Sequence, residues 1–194
     1  MPGPGVTTER REQLLDATDR VVQRDGPSAS MNTIAAEAGI TKPILYRHFG
    51  DKGGLYRALA ARHIETLLEQ LRTALLTRGG LEARTRATVD AYLAAIEAQP
   101  QVYRFLVHRA ALEEPDVRGE VAGFVRRFGD ELAAGIQAEP TLGDVTPERA
   151  KVWAHGIAGM VQAAGDWWLD HNDVPRAVVV GELTTLLVRG FDAR

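Results

Sequence analysis

The sequence predicts an all-α chain: an N-terminal three-helix head carrying a helix-turn-helix, then a longer C-terminal helical body. Three observations point there. Apolar residues recur at i, i+3, i+4 and i+7 in segment after segment, with no period-two stretch. Proline and glycine fall at the joints between those segments. Residues 30–52, SMNTIAAEAGITKPILYRHFGDK, place two short helices on either side of a glycine corner.

Residues 7–24 form the first predicted helix, with Leu14, Leu15, Thr18, Val21 and Val22 as its inward stripe. Asp25-Gly26-Pro27-Ser28 ends it, and the Pro/Gly-rich residues 1–8 ahead of it read as a disordered lead-in. Arg10 and Arg11 on this arm are candidate phosphate contacts or a plain solvated pair. Ser30 caps the next helix, whose apolar face is Ile34, Ala35 and Ala38. Gly39 stops it, because glycine takes a left-handed turn without steric cost. Thr41 then caps a second short helix with Pro43 in its first turn. There Leu45 and Phe49 face inward, leaving Lys42, Ile44, Arg47 and His48 to point elsewhere.

Two helices this short are unstable alone, since nucleation costs more than they recover. Ala35, Gly39 and Leu45 have the spacing that lets the second helix cross closely, turn the corner and plug a shared core. That geometry projects the polar start of the second helix toward a DNA major groove. Thr41, Lys42 and Pro43 would then meet base edges or the nearest phosphates, and Asn32 would donate to either.

Residues 51–77 read as one long helix capped by Asp51, about 40 Å long at 1.5 Å per residue. Its stripe is Leu55, Leu59, Ile64, Leu67, Leu68, Leu71 and Leu75, and Gly53-Gly54 falls in its first turn. Leu81–Ala98 follows, then the short apolar Val102–Leu112, then a helix opened by Pro115 that runs to Ala138. Residues 140–147 are a linker, and Thr146-Pro147-Glu148-Arg149 starts the next helix in a capping-box-like way. His171-Asn172-Asp173 breaks that helix near Leu169, and Pro175 starts the last. The two final helices are apolar on more than one face, which calls for cover on every side. A second copy of the chain is the natural cover. Ala163, Trp167, Trp168, Leu183, Leu186, Leu187 and Phe191 are its candidate contacts.

Composition bounds the function. The 194 residues are 45% apolar and 25% charged, as in an ordinary soluble domain or pair of domains. No apolar run is long enough for a membrane span, and residues 1–11 lack the apolar core of a secretory signal. Cysteine is absent, which excludes disulfides and thiolate metal sites and suits a reducing cytoplasm. The net charge is −3, unevenly spread. Residues 1–62 carry +2, from 9 Lys/Arg against 7 Asp/Glu, and the remainder carries −5, from 14 against 19. That asymmetry has the sign a phosphate-binding head needs.

The stretch IAAEAGITKPILYRHFGDKGGLYRAL resembles the N-terminal signature of the TetR family of bacterial transcriptional regulators. The resemblance rests on Ile34-Ala35, Ala38-Gly39, Leu45-Tyr46, His48-Phe49, and Lys52 followed by Leu55. It implies a head at residues 1–50, a regulatory body at 51–194, and no catalytic activity. It also implies a double-stranded DNA operator as partner, backbone contacts at Tyr46 and His48, and a phosphate contact at Lys52. Dimerisation would run through the last two helices, setting two heads about 34 Å or more apart on a pseudo-palindrome. A small lipophilic effector would sit in the body, releasing a repressor from DNA in the cytoplasm, at the nucleoid. Tyr92, Tyr103, Phe105, Leu106, Phe124, Phe128, Trp153 and Met160 are the candidate apolar lining, with His108, Arg109 and Gln162 to orient a polar end. The alternatives are a DNA-binding regulator without an effector, or a helical interaction module without DNA affinity.

No cofactor or metal is called for. The five histidines form no HExxH and no pair three or four apart. The residues 170–173 lack the glycine and terminal glutamate of a calcium loop and read as a turn. Adjacent Glu113 and Glu114 do not share a helix face, so they make a poor acid/base pair.

Overall fold

The computed structural model describes residues 4–171 and 173–192, with side chains from 9 to 171 and 173 to 190. Among these the secondary structure is helical, with no strand. The chain packs as two compact units: Met1–Ile64 with Gln99–Ala122, and Glu65–Ala98 with Gly123–Arg194. Residue 50 lies inside the first unit.

In the first unit, α1 (Pro4–Asp25) begins earlier than the expected residue 7. The lead-in expected to be disordered is thus helical from Pro4, and residues 1–3 lie outside the described residues. Leu14, Leu15, Thr18, Val21 and Val22 are all buried, and the Thr18 hydroxyl donates to the Leu14 carbonyl at 2.8 Å, satisfying the one polar group on that stripe. α2 (Met31–Glu37) is capped by Ser30, whose hydroxyl accepts from the Thr33 N–H. α3 (Lys42–Phe49) follows the corner at Gly39, where φ is +66°. α4 (Lys52–Leu75) is capped by Asp51, its carboxylate accepting from the Gly54 N–H at 2.7 Å.

The rest of this unit differs from expectation. The short helix foreseen over 102–112 is α6 (Pro100–Arg104), a π-helical turn (Phe105–Ala110) and a final turn, α7 (Ala111–Glu113). α5 (Gly80–Ala98) belongs to the second unit and α8 (Pro115–Gln137) contributes to both. In the first unit Phe105 is fully buried, with its ring edge-on to Tyr56 at 4.8 Å.

The second unit is completed by α9 (Pro147–Asp170), capped by Thr146, and α10 (Arg176–Asp192). α9 passes close to α5 at Gly165, where a β-carbon would come within 3.0 Å of the Tyr92 ring. Trp153 and Ile157 pack on a core cluster of Ala133, Ile136, Leu142, Val145, Ala150 and Ala154. Arg176 pairs with Asp90 at 2.9 Å and with Glu97, pinning the start of α10 to α5. The buried Glu139 accepts from the Thr141 N–H and hydroxyl and pairs with Arg84. That pairing is what makes a carboxylate tolerable there.

Candidate nucleic-acid interface

The interface starts from packing. Leu45 and Phe49 are buried under α1 and α2 with Ile34 and Ala35, so the opposite side of α3 must face out. Ile40 N–H returns to the Ala35 carbonyl at 3.0 Å and Gly39 N–H to Ala36 at 3.0 Å, closing α2 in a tight corner. The angle between the helices is thereby set by backbone hydrogen bonds.

The candidate residues sit around that outward side. Thr41 is exposed with extended backbone, and its hydroxyl makes no capping bond. Pro43 is exposed; Lys42, Tyr46 and His48 are half-buried; Asn32 is exposed at the start of α2. Arg47, one turn after Pro43, is exposed on the same outward side and joins the set. Among the described residues neither Lys42 nor Arg47 has a carboxylate partner. Arg11, read from sequence as either a phosphate contact or one of a solvated pair with Arg10, lies over the Phe49 ring at 4.8 Å, and Arg10 donates to Gln13 at 3.0 Å. Glu37 is clasped by Arg20 and Arg24, fastening α2 to α1. That clasp holds the Glu37 carboxyl below its ordinary value, the Arg20 hydrogen bond first.

Lys52, expected from the resemblance to contact a phosphate, also meets carboxylates of its own unit. Its ammonium lies 2.5 Å from Glu113 Oε2 and 3.7 Å from Glu114 Oε1. The Glu113 hydrogen bond raises the Lys52 pKa, and Lys52, then Arg109, lowers that of Glu113. Arg109 is likewise engaged. Its Nε donates to Glu113 Oε1 at 3.1 Å, and its Nη1 donates to the carbonyls of Pro27 and, at 2.8 Å, Ala29. Assigned from sequence to a ligand's polar end, it fastens the peptide leading into α2. Burial first of all pushes the Tyr56 hydroxyl above its ordinary value, and it has no hydrogen-bond partner among the described residues.

The other candidates fall as follows. In the first unit Phe105 and Leu106 are buried core, Tyr103 is half-buried with His108 edge-on at 6.2 Å, and His108 is exposed. In the second unit Tyr92 and Phe128 are buried, and Phe124 stacks on Phe128 at 6.3 Å. Met160 and Gln162 are half-buried, and Trp153 carries Arg149 over its ring at 4.6 Å.

On the last two helices, Trp168, Leu183 and Leu187 are buried within the second unit's own core. The Trp168 indole N–H donates to the Val174 carbonyl at 2.7 Å. Trp167 and Leu186 are 51% and 58% exposed, and Ala163 is exposed. With Val152, Gly156 and Gly159 on α9 and Val178 on α10 they form an outward apolar stripe at helical spacing. The Phe191 side chain lies outside the described residues.

A short helix pair locked by a glycine corner, with a bare polar tip and a buried back, defines a helix-turn-helix DNA-binding head. Residues 14–59 match the model of the bacterial regulatory proteins of the tetR family, and residues 70–193 that of the tetracyclin repressor-like C-terminal domain. The chain is 35% identical over 168 residues to the HTH-type transcriptional activator FasR of Mycolicibacterium smegmatis, covering 86% of this chain and 75% of that one. It is 28% identical over 196 residues to the HTH-type transcriptional repressor LfrR of the same species, covering 98% and 97%. The structure of the fatty acid degradation regulator FadR from Bacillus halodurans shares the fold, with a TM-score of 0.76, 16% identity and both chains covered in full. The chain belongs to the TetR family of bacterial transcriptional regulators. No described helix is long and apolar enough to cross a membrane.

Proposed function

We propose that this chain is a cytoplasmic, nucleoid-associated repressor that binds a pseudo-palindromic operator as a homodimer and leaves it when a small lipophilic effector binds the body. The observation that carries the reading is the uncovered tip of α3. Thr41, Pro43 and Arg47 are exposed there and Lys42 and Tyr46 half-buried, while Leu45 and Phe49 are buried behind them. Asn32 and His48 flank that tip.

Lys42 is the base-reading candidate. Lysine donates to the guanine acceptors O6 and N7 of the major groove, though as a point charge on a flexible stem it discriminates less sharply than a bidentate arginine. Tyr46 and Arg47 would fix the register on phosphates. The outward stripe through Val152, Gly156, Gly159, Ala163, Trp167, Val178 and Leu186 supports dimerisation, since small residues allow close helix approach and Trp167 supplies area. The half-buried or buried Tyr92, Phe124, Phe128, Trp153, Met160 and Gln162 are the proposed effector lining in the second unit.

An effector acts by its differential affinity for the two states of the head, typically about 1–3 kcal/mol of coupling. A relative bearing the name of an activator supports a second reading, in which the bound dimer recruits transcription. The test is a gel shift on the DNA upstream of the chain's own reading frame, at two salt concentrations, followed by titration of lipophilic compounds. Salt-dependent, sequence-selective binding that a compound weakens supports the proposal; sequence-blind binding contradicts it.

A further inference from the structure

Lys52 follows the recognition helix directly, yet its charge is already taken. Glu113 and Glu114 both reach it, at 2.5 and 3.7 Å. A β-carbon on Gly53 would come within 2.8 Å of Glu114 Oε2, so the two carboxylates crowd the first turn of α4. One turn on, Arg57 donates to Asp116 at 2.6 Å. Residues 113–116 therefore set three carboxylates against the cations at the leading edge of α4. Glu113 does not swing freely, because Arg109 grips its other oxygen while bonding the Pro27 and Ala29 carbonyls.

We infer that Glu113 and Glu114 form an acidic latch that competes with a DNA phosphate for the Lys52 ammonium. The inference rests on the DNA-binding reading above. A phosphate cannot share that ammonium cheaply with two carboxylates, because the like charges repel across a few ångströms. Binding any duplex must first open the latch, and the freed carboxylates then take up cations from solution. That uptake offsets part of the counterion release that normally drives association. The latch falls on phosphate contacts, which are blind to sequence, so it lowers non-specific affinity and leaves discrimination to the α3 tip.

The test uses the full chain and fluorescence anisotropy with two labelled duplexes, one from upstream of its own reading frame and one of mixed sequence. Glu113→Gln, with Glu114→Gln as a second variant, should tighten binding to both duplexes roughly two- to fivefold at low salt, the weight of a partly exposed ion pair. The salt dependence should steepen by up to about one in the log–log slope. In a Lys52→Gln background the same substitutions should change nothing. A Glu113→Gln chain that binds unchanged or more weakly overturns the latch, as does a gain that persists without Lys52. Should the unsubstituted chain show no salt-dependent binding to either duplex, the DNA-binding reading fails and the latch fails with it.

Discussion

Gly54 sits directly against the carbonyl of Phe49: a β-carbon built on it would overlap that oxygen. The last turn of α3 and the first turn of α4 meet there with no room for a side chain. The Gly54 N–H is simultaneously capped by Asp51. Gly54→Ala must push the two helices apart, and overpacking of this kind typically costs about 1–3 kcal/mol. Denaturant unfolding should show that loss together with weakened DNA binding. Gly39→Ala has open space around it and pays only for its left-handed backbone, about 1–2 kcal/mol.

Tyr56 offers a substitution that should help. Its ring is fully buried against Phe105, while its hydroxyl has no partner among the described residues. An unsatisfied buried polar group costs about 1–3 kcal/mol, so Tyr56→Phe should raise the melting temperature without disturbing the fold. A lower melting temperature would mean that the hydroxyl is bonded in solution.

The acid limb of stability follows from two carboxylates. Glu37 and Glu113 both titrate below the ordinary 4.5 in the folded chain. A depressed carboxyl contributes stability above its unfolded value and loses it as pH falls through the folded one. Melting temperature should therefore be flat near neutrality and fall below about pH 4.5. Glu37→Gln should lower it at pH 7, and the difference from the parent chain should vanish at the acid end.

Neighbouring tryptophans separate two roles on α9. Trp167→Asp places a charge on the outward stripe and should yield monomers in sedimentation, with operator affinity lost and the melting profile of the monomer retained. Trp168→Ala empties the unit's own core and should cost about 3–5 kcal/mol of stability. If Trp167→Asp remains dimeric, the stripe is not the interface.

The head was legible because its signals are local. Ser30, Gly39, Pro43 and Asp51 fix caps and corners within a few residues of where they act, and α2, α3 and α4 start where those residues put them. The rest depended on contacts that no local pattern encodes. Arg109 meets Ala29 across 80 residues and Lys52 meets Glu113 across 61, and no spacing in the sequence signals either pairing. The π-helical turn at 105–110 shifts register within an apolar run where every register looks alike. Trp167 and Trp168, or Leu186 and Leu187, are equally apolar and about 100° apart on their helices. Only the packed fold says which of each pair faces out. Gly53-Gly54 was visible as a weak helix start, but the reason for Gly54 is the Phe49 carbonyl.

The central claim is that paired α3 tips read duplex DNA, and selection of binding sites from a random duplex library tests it most directly. The account predicts enrichment of a two-fold symmetric sequence with half-sites about one helical turn or more apart. It also predicts that Lys42→Ala combined with Tyr46→Ala abolishes the enrichment while leaving the chain folded. No enrichment, or enrichment that survives the double substitution, would contradict it.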